Sequence, residues 1–244
     1  RDVRKKKIQL ISRFIDLILT SRIITKKANT YDNLKDISFL LVKEVRGKNY
    51  SELLTYIQGE WGKYYSQLDK LPEMQYENKS RSEMLYILSR IASFLETEMS
   101  ITNKVGFDIY MQRDRSGKTF DIEHVLRSVI DQENLPSSTL GFTTDAEYNS
   151  KRNLIGGLIL LPRSRNRSLS DNIYSDKKGV YGGENILCQT LCPGFYQNNP
   201  DLTRFQATYT QLNLQEQTEF LASSITARGE LYKQVALEIW KPPA

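Results

Sequence analysis

Apolar residues recur at helical spacing through most of the first hundred positions, which predicts a helical bundle. Over residues 8–24, Ile8, Ile11, Phe14, Ile15, Ile18 and Leu19 form one broad apolar face. A second helix is predicted over 33–46, with Leu34, Ile37, Leu40, Leu41 and Val45 on its inner side. A third follows the cap candidate Ser51 and carries Leu53, Leu54 and Ile57 toward Trp61. After a polar loop at 73–82, a long helix turns Met84, Leu85, Ile87, Leu88, Ile91, Phe94 and Leu95 inward. These stripes predict a core and carry no chemistry.

Near Gly106 the texture changes. Residues 107–110 are short and strand-like, 115–118 make a turn, and 120–126 form a second strand candidate. A loop rich in Ser, Thr, Gly and Pro covers 134–144, and a short helix capped by Thr144 or Asp145 fits 145–152. Residues 154–161 are a strongly apolar strand ended by Pro162, and the polar, basic run 163–170 starts a helix. The order is strand, long loop, strand, helix. Residues 179–199 read as loop with one apolar segment, 186–191. Two helices are expected at 214–223 and 225–240, folding back on the N-terminal bundle. The predicted class is α+β, mainly α-helical, divided into a bundle at 1–105, an inserted strand-bearing unit at 106–185 and a C-terminal helical segment at 186–244.

Composition excludes more than it identifies. At 244 residues, 39% hydrophobic and 26% charged, the chain has ordinary globular values, and no apolar run approaches the roughly 20 residues that span a bilayer. Arg1 in place of Met is expected of a piece of a longer chain. Cys188 and Cys192 lack partners for a four-ligand zinc site, so they read as buried thiols in a reducing cytoplasm. The sequons at Asn78 and Asn166 would matter only in a secreted protein. Net charge is +5. Between Lys151 and Lys178 stand seven basic residues (Lys151, Arg152, Arg163, Arg165, Arg167, Lys177, Lys178) against Asp171 and Asp176. That local excess equals the charge of the whole chain, and it suits a polyanionic partner.

His124 is the chain's one histidine and follows Glu123 directly. An imidazole near neutrality can take a proton from water. A carboxylate at Glu123 and an amide oxygen at Asn166 are hard ligands for a Mg²⁺ that keeps most of its waters. Strand, loop, strand and helix would bring the first strand's end against the helix start, with the base and the metal on either side of a phosphate.

Asp121-Ile-Glu-His-Val125, the apolar run Ile155–Leu161 and Asn166-Arg-Ser-Leu-Ser-Asp-Asn172 together resemble the HNH, or His-Me finger, nuclease pattern. The version they look most like closes the GmrSD-type modification-dependent restriction endonucleases, and about 60 residues carry the match. The resemblance implies a ββα-metal unit embedded between helical segments. It implies Mg²⁺-dependent hydrolysis of DNA phosphodiester bonds, with Mn²⁺ as the alternative ion, in prokaryotic, cytoplasmic defence against phage. His124 would be the general base, Glu123 and Asn166 would hold the metal, and Asp121 would bind it through water or orient the site. Arg163, Arg165, Arg167, Lys151, Arg152, Lys177 and Lys178 would contact DNA, duplex and either modified or not, with Asp171 and Asn172 in support. The implied partners are an N-terminal nucleotide-hydrolysing sensor domain on the same longer chain and, for double-strand cutting, a second copy in a homodimer. No membrane partner is implied. One position departs: Gly157 stands where the family has Asn, so either another residue braces the base or the geometry differs. The competing class is a catalytically weak or inactive DNA-binding or scaffold module.

Overall fold

A computed structural model describes residues 2–77, 80–114, 117–128, 137–169 and 171–244. The sequon at Asn78, part of the turn at 115–118, the first residues of the loop at 134–144, and Ser170 lie outside them. Two compact units emerge: residues 1–71 with 236–244, and residues 72–235.

The first unit holds α1 (Asp2–Ile24), α2 (Tyr31–Val45) and α3 (Tyr50–Tyr65), followed by a 3₁₀ stretch, Ser66–Glu73, that begins in this unit. Helix α1 buries Leu10, Phe14, Leu17, Ile18, Ser21 and Ile24. The buried stripe is therefore rotated from the predicted one, and Ile8 and Ile15 face outward. Aromatic packing decides the rotation: Phe14 stacks on Trp61 at 5.7 Å and meets Tyr64 edge-on. The cap of helix α3 lies two residues before the predicted Ser51, because Asn49 and Glu52 form a reciprocal capping box. The C-terminal residues 236–244 join this unit through Trp61 Nε1, which donates to the Trp240 carbonyl, and Trp240 Nε1, which donates to Asp16. Helix α2 corrects the sequence reading. Of its predicted inner side, Leu34, Ile37, Leu41 and Val45 are only half-buried and Leu40 is exposed, so the helix buries no residue fully, and Phe39 and Val42 are exposed as well.

In the second unit, α4 (Arg81–Glu98) buries the expected Met84, Leu85, Ile87, Leu88, Ile91 and Leu95. The strand expected at 107–110 is instead a helix, α5 (Phe107–Met111). Gly106 at φ +81° turns the chain, and the Tyr110 hydroxyl reaches the buried Glu96 at 2.7 Å, which a flat strand would not allow. A small hairpin of β1 (Arg113–Asp114) and β2 (Gly117–Lys118) leads into β3 (Phe120–His124). Then come α6 (Asp145–Lys151), capped by Thr144, a 3₁₀ turn at Ile155–Gly157, β4 (Leu158–Pro162) and α7 (Arg163–Leu169). The strand predicted over 154–161 is thus shorter, because Gly156 and Gly157 shape a turn. A Cβ on Gly156 would lie 2.0 Å from the Ile225 carbonyl oxygen, so only glycine allows this approach.

Helices α8 (Tyr174–Tyr181), α9 (Ile186–Gln189), α10 (Pro200–Thr208) and α11 (Ala222–Ile239) complete the order. Residues 179–199, read as loop, therefore include the end of α8, all of α9 and a 3₁₀ turn at Pro193–Tyr196. Residues 214–221 are irregular rather than helical, holding Leu214 and Phe220 inward without a helical register.

Strands β3 and β4 pair antiparallel, with Glu123 opposite Ile159 and His124 opposite Leu158. A two-stranded sheet has two open edges, whose carbonyls need donors when buried. On the β4 edge, Tyr232 donates to Leu158 O, while Asn185 and the Cys188 thiol donate to Leu160 O. On the β3 edge, Asn166 donates to Ile122 O and Lys177 to His124 O. Side chains close both edges.

Candidate active site

The pleat sends Glu123 and His124 to opposite faces of β3. Glu123 goes inward and is 3% exposed. Its Oε1 accepts from Lys177 Nζ at 2.8 Å and from the Tyr181 hydroxyl at 3.0 Å. Both donors come from α8 and are themselves buried. Burial pushes the Glu123 carboxyl above its ordinary range, against the pull of Lys177 and Tyr181.

His124 lies half-buried on the other face. Its Nε2 is 2.9 Å from Asn153 Oδ1, and the Tyr76 ring stands edge-on to it, 5.1 Å away at 88°. Burial, then the charge of Arg152, lowers the imidazole pKa to about 4, although the Asn153 hydrogen bond works the other way. At neutral pH the ring is therefore uncharged, with a lone pair for a proton.

Asn166, on the helix that follows β4, spends its amide Nδ2 on Ile122 O at 3.1 Å. Asn166 Oδ1 and Glu123 Oε2 are the remaining side-chain oxygens of the two residues. One carboxylate oxygen and one amide oxygen are the donor set that suits a largely hydrated Mg²⁺, so the chemistry of these two residues fits the ion. Asp121 Oδ1 accepts from Arg81 and from the Ile122 N–H. Among the described residues no cluster of three or more His, Cys, Asp or Glu side chains forms a metal cage.

The basic residues sort by exposure. Arg165 and Arg167 are exposed on α7, and Arg165 reaches Glu184 at 3.4 Å. Arg163 is half-buried. Lys151 pairs with Glu147, and Lys178 donates to Thr218 O from beside the Tyr174 ring. One expected DNA contact is corrected. Lys177 is 1% exposed and spans Glu123 and the His124 carbonyl, so it has no free face for a phosphate. Arg152 is half-buried and donates to Leu126 O, and its charge helps to lower the His124 pKa. Asp171 accepts from Ser128 at 2.6 Å, and Asn172 is exposed beside it.

Position 157 has no room for the family's Asn, since a Cβ there would sit 2.7 Å from the Arg152 carbonyl oxygen. Sequence reasoning missed Asn153, Tyr76, Arg81 and Tyr181. Only Asn153, in the run before the apolar strand, stood where a search around His124 could have met it.

Residues 61–235 match the family model for the C-terminal domain of GmrSD restriction endonucleases. The chain belongs to that family. Comparison with curated proteins and with solved structures gives no match. Strand β3, strand β4 and helix α7 lie inside the stretch that matches the GmrSD C-terminal domain, as do all the residues of the site. No helix among the described residues is long and apolar enough to cross a membrane.

Proposed function

We propose that this GmrSD C-terminal domain hydrolyses DNA phosphodiester bonds at an HNH-type ββα site, with His124 as the general base. The observation that carries the reading is that β3 holds both His124, at its end with Nε2 2.9 Å from Asn153 Oδ1, and the carbonyl of Ile122 on which the Asn166 side chain is anchored. His124 takes the proton of the attacking water. Glu123 Oε2 and Asn166 Oδ1 would hold one Mg²⁺ or Mn²⁺, which when bound supplies positive charge to the phosphate and the leaving oxygen. Lys177 and Tyr181 fix Glu123 so that its second oxygen keeps one direction. Arg165 and Arg167, exposed on α7, and Lys151 and Lys178 further out, steer and hold the polyanion, with Arg163 closer to the strand. Asp121 and Arg81 form a fixed ion pair at the start of β3 that orients the strand.

The test is a supercoiled-plasmid assay with Mg²⁺ and with chelator. His124→Ala and Asn166→Ala are each expected to lower nicking by about 10²-fold or more. Metal-dependent nicking that persists in a clean His124→Ala preparation would refute the mechanism. Salt-sensitive DNA binding without any cleavage would replace it with the binding-module reading, which the internal Lys177 charge at Glu123 favours.

A further inference from the structure

The hydrogen bond between His124 and Asn153 has a direction, and the surrounding bonds decide it. Asn153 Nδ2 donates to the Asn149 carbonyl at 2.8 Å, in the turn that ends α6. That bond fixes which end of the amide is oxygen, and the oxygen is the end that meets His124 Nε2 at 2.9 Å. An amide oxygen only accepts, so the proton of the neutral ring must sit on Nε2. The other tautomer would set two lone pairs against each other at that distance. Turning the amide over would not relieve this, because its oxygen would then face the Asn149 carbonyl.

The frame around this bond is held on several sides. The Asn153 carbonyl accepts from Tyr76 N at 2.7 Å, and Leu154 bridges to Gln75, so the backbone at 153–154 is pinned to the segment that carries Tyr76. The Tyr76 ring edge limits rotation of the imidazole. The His124 main chain is held by its pairing with Leu158 and by Lys177 on its carbonyl. No described residue bonds to Nδ1.

We propose that Asn153 is the positioning residue for His124. Its side-chain oxygen holds the imidazole as the Nε2–H tautomer and leaves Nδ1 as the atom that accepts a proton. The tautomer rests on the geometry alone. Its use in water activation rests on the nuclease reading above.

Because His124 is the sole histidine, its ring gives one set of nitrogen signals in protein labelled with ¹⁵N-histidine. At pH 7, without DNA or metal, a slowly exchanging N–H resonance correlated to Nε2 is expected, with Nδ1 unprotonated. Asn153→Ala should lose the slow exchange, and Asn153→Asp, which keeps an acceptor, should retain it. A proton on Nδ1 in the parent protein, or a pattern unchanged by Asn153→Ala in a protein that melts normally, would overturn the proposal. Should Asn153→Ala fail to fold, the parent spectrum and Asn153→Asp still decide it. In the plasmid assay, Asn153→Ala should lower kcat by about tenfold or more with DNA affinity unchanged, and Asn153→Asp should recover part of the loss. A parent protein that never cleaves would sink the nuclease reading and leave the tautomer to be judged by the spectra.

Discussion

Glu123 and His124 are consecutive on one strand and occupy opposite kinds of surroundings. Beneath β3, Glu123 meets a buried ammonium and a buried phenol, both supplied by α8. Above it, His124 meets a neutral amide and the edge of a tyrosine ring. Burial pushes both toward the uncharged form, raising the carboxyl and lowering the imidazole. Only the carboxyl has an opposing charge in contact. The difference teaches how one pleat can separate two environments: the lower face locks a buried carboxyl against its cation, and the upper face holds a half-buried imidazole against neutral groups.

Removing the lower face's cation should have the largest effect on stability. Lys177→Met leaves a buried carboxyl without its ammonium and is expected to cost about 3–5 kcal/mol in denaturant unfolding. Adding Glu123→Gln to it should recover much of that loss. If the double variant is no more stable than the single one, the charge pair is not what holds α8 to β3.

Restoring the family's Asn at 157 should come next. Gly157→Asn forces the Arg152 carbonyl to move and is expected to cost about 1–3 kcal/mol by thermal melting. A neutral result would mean that the turn beside Arg152 yields easily, and with it the frame around His124. Tyr181→Phe removes one of the two donors on Glu123 Oε1, with an expected loss of about 1 kcal/mol. Its effect on plasmid nicking should be smaller than that of Asn153→Ala, since it touches Glu123 and not His124.

The smallest effect is a pair of opposite slopes with pH. His124 has a folded pKa of about 4 against an ordinary 6.5. Its contribution is therefore present above pH 6.5 and is lost as pH falls toward 4. Glu123 has a raised folded pKa, so its contribution is present below about pH 4.5 and is lost as pH rises through the folded value. Melting temperatures of the parent protein, His124→Ala and Glu123→Gln across that range should show differences that run in opposite directions. Slopes of the same sign would mean that the two faces are not distinguished by burial as described.

Much of the candidate site was legible because it is local. Asp121-Ile-Glu-His, the apolar run and Asn166 lie in a stretch where strand, strand and helix follow one another, and spacing alone puts Asn166 near β3. The residues that complete it were not legible. Tyr76 and Arg81 approach β3 from 40 or more residues upstream, and Tyr181 and Lys177 come from more than 50 downstream. Nothing in their own neighbourhoods marks them. Lys177 looked like a phosphate contact because it stands in a basic run, and charge along a sequence does not say which side chains turn inward. The apolar stripe of α2 failed in the reverse way. Its period is helical and the helix is there, but periodicity cannot supply a surface to cover it. The strand expected at 107–110 failed for a third reason: a run that short is compatible with either element until Tyr110 finds Glu96.

The span of 53 residues between Lys177 and the His124 carbonyl also bears on how the domain assembles. Pairing β3 with β4 brings together residues about 34 to 42 positions apart, whereas closing α8 over Glu123 requires a longer loop and comes at a higher entropic cost. A chain growing from its N-terminus finishes both strands before it has made α8, so for that interval the carboxyl of Glu123 has only water as a partner. The site is therefore a late product of folding. A fragment ending before residue 174 is expected to leave it unbuilt even if the strands collapse.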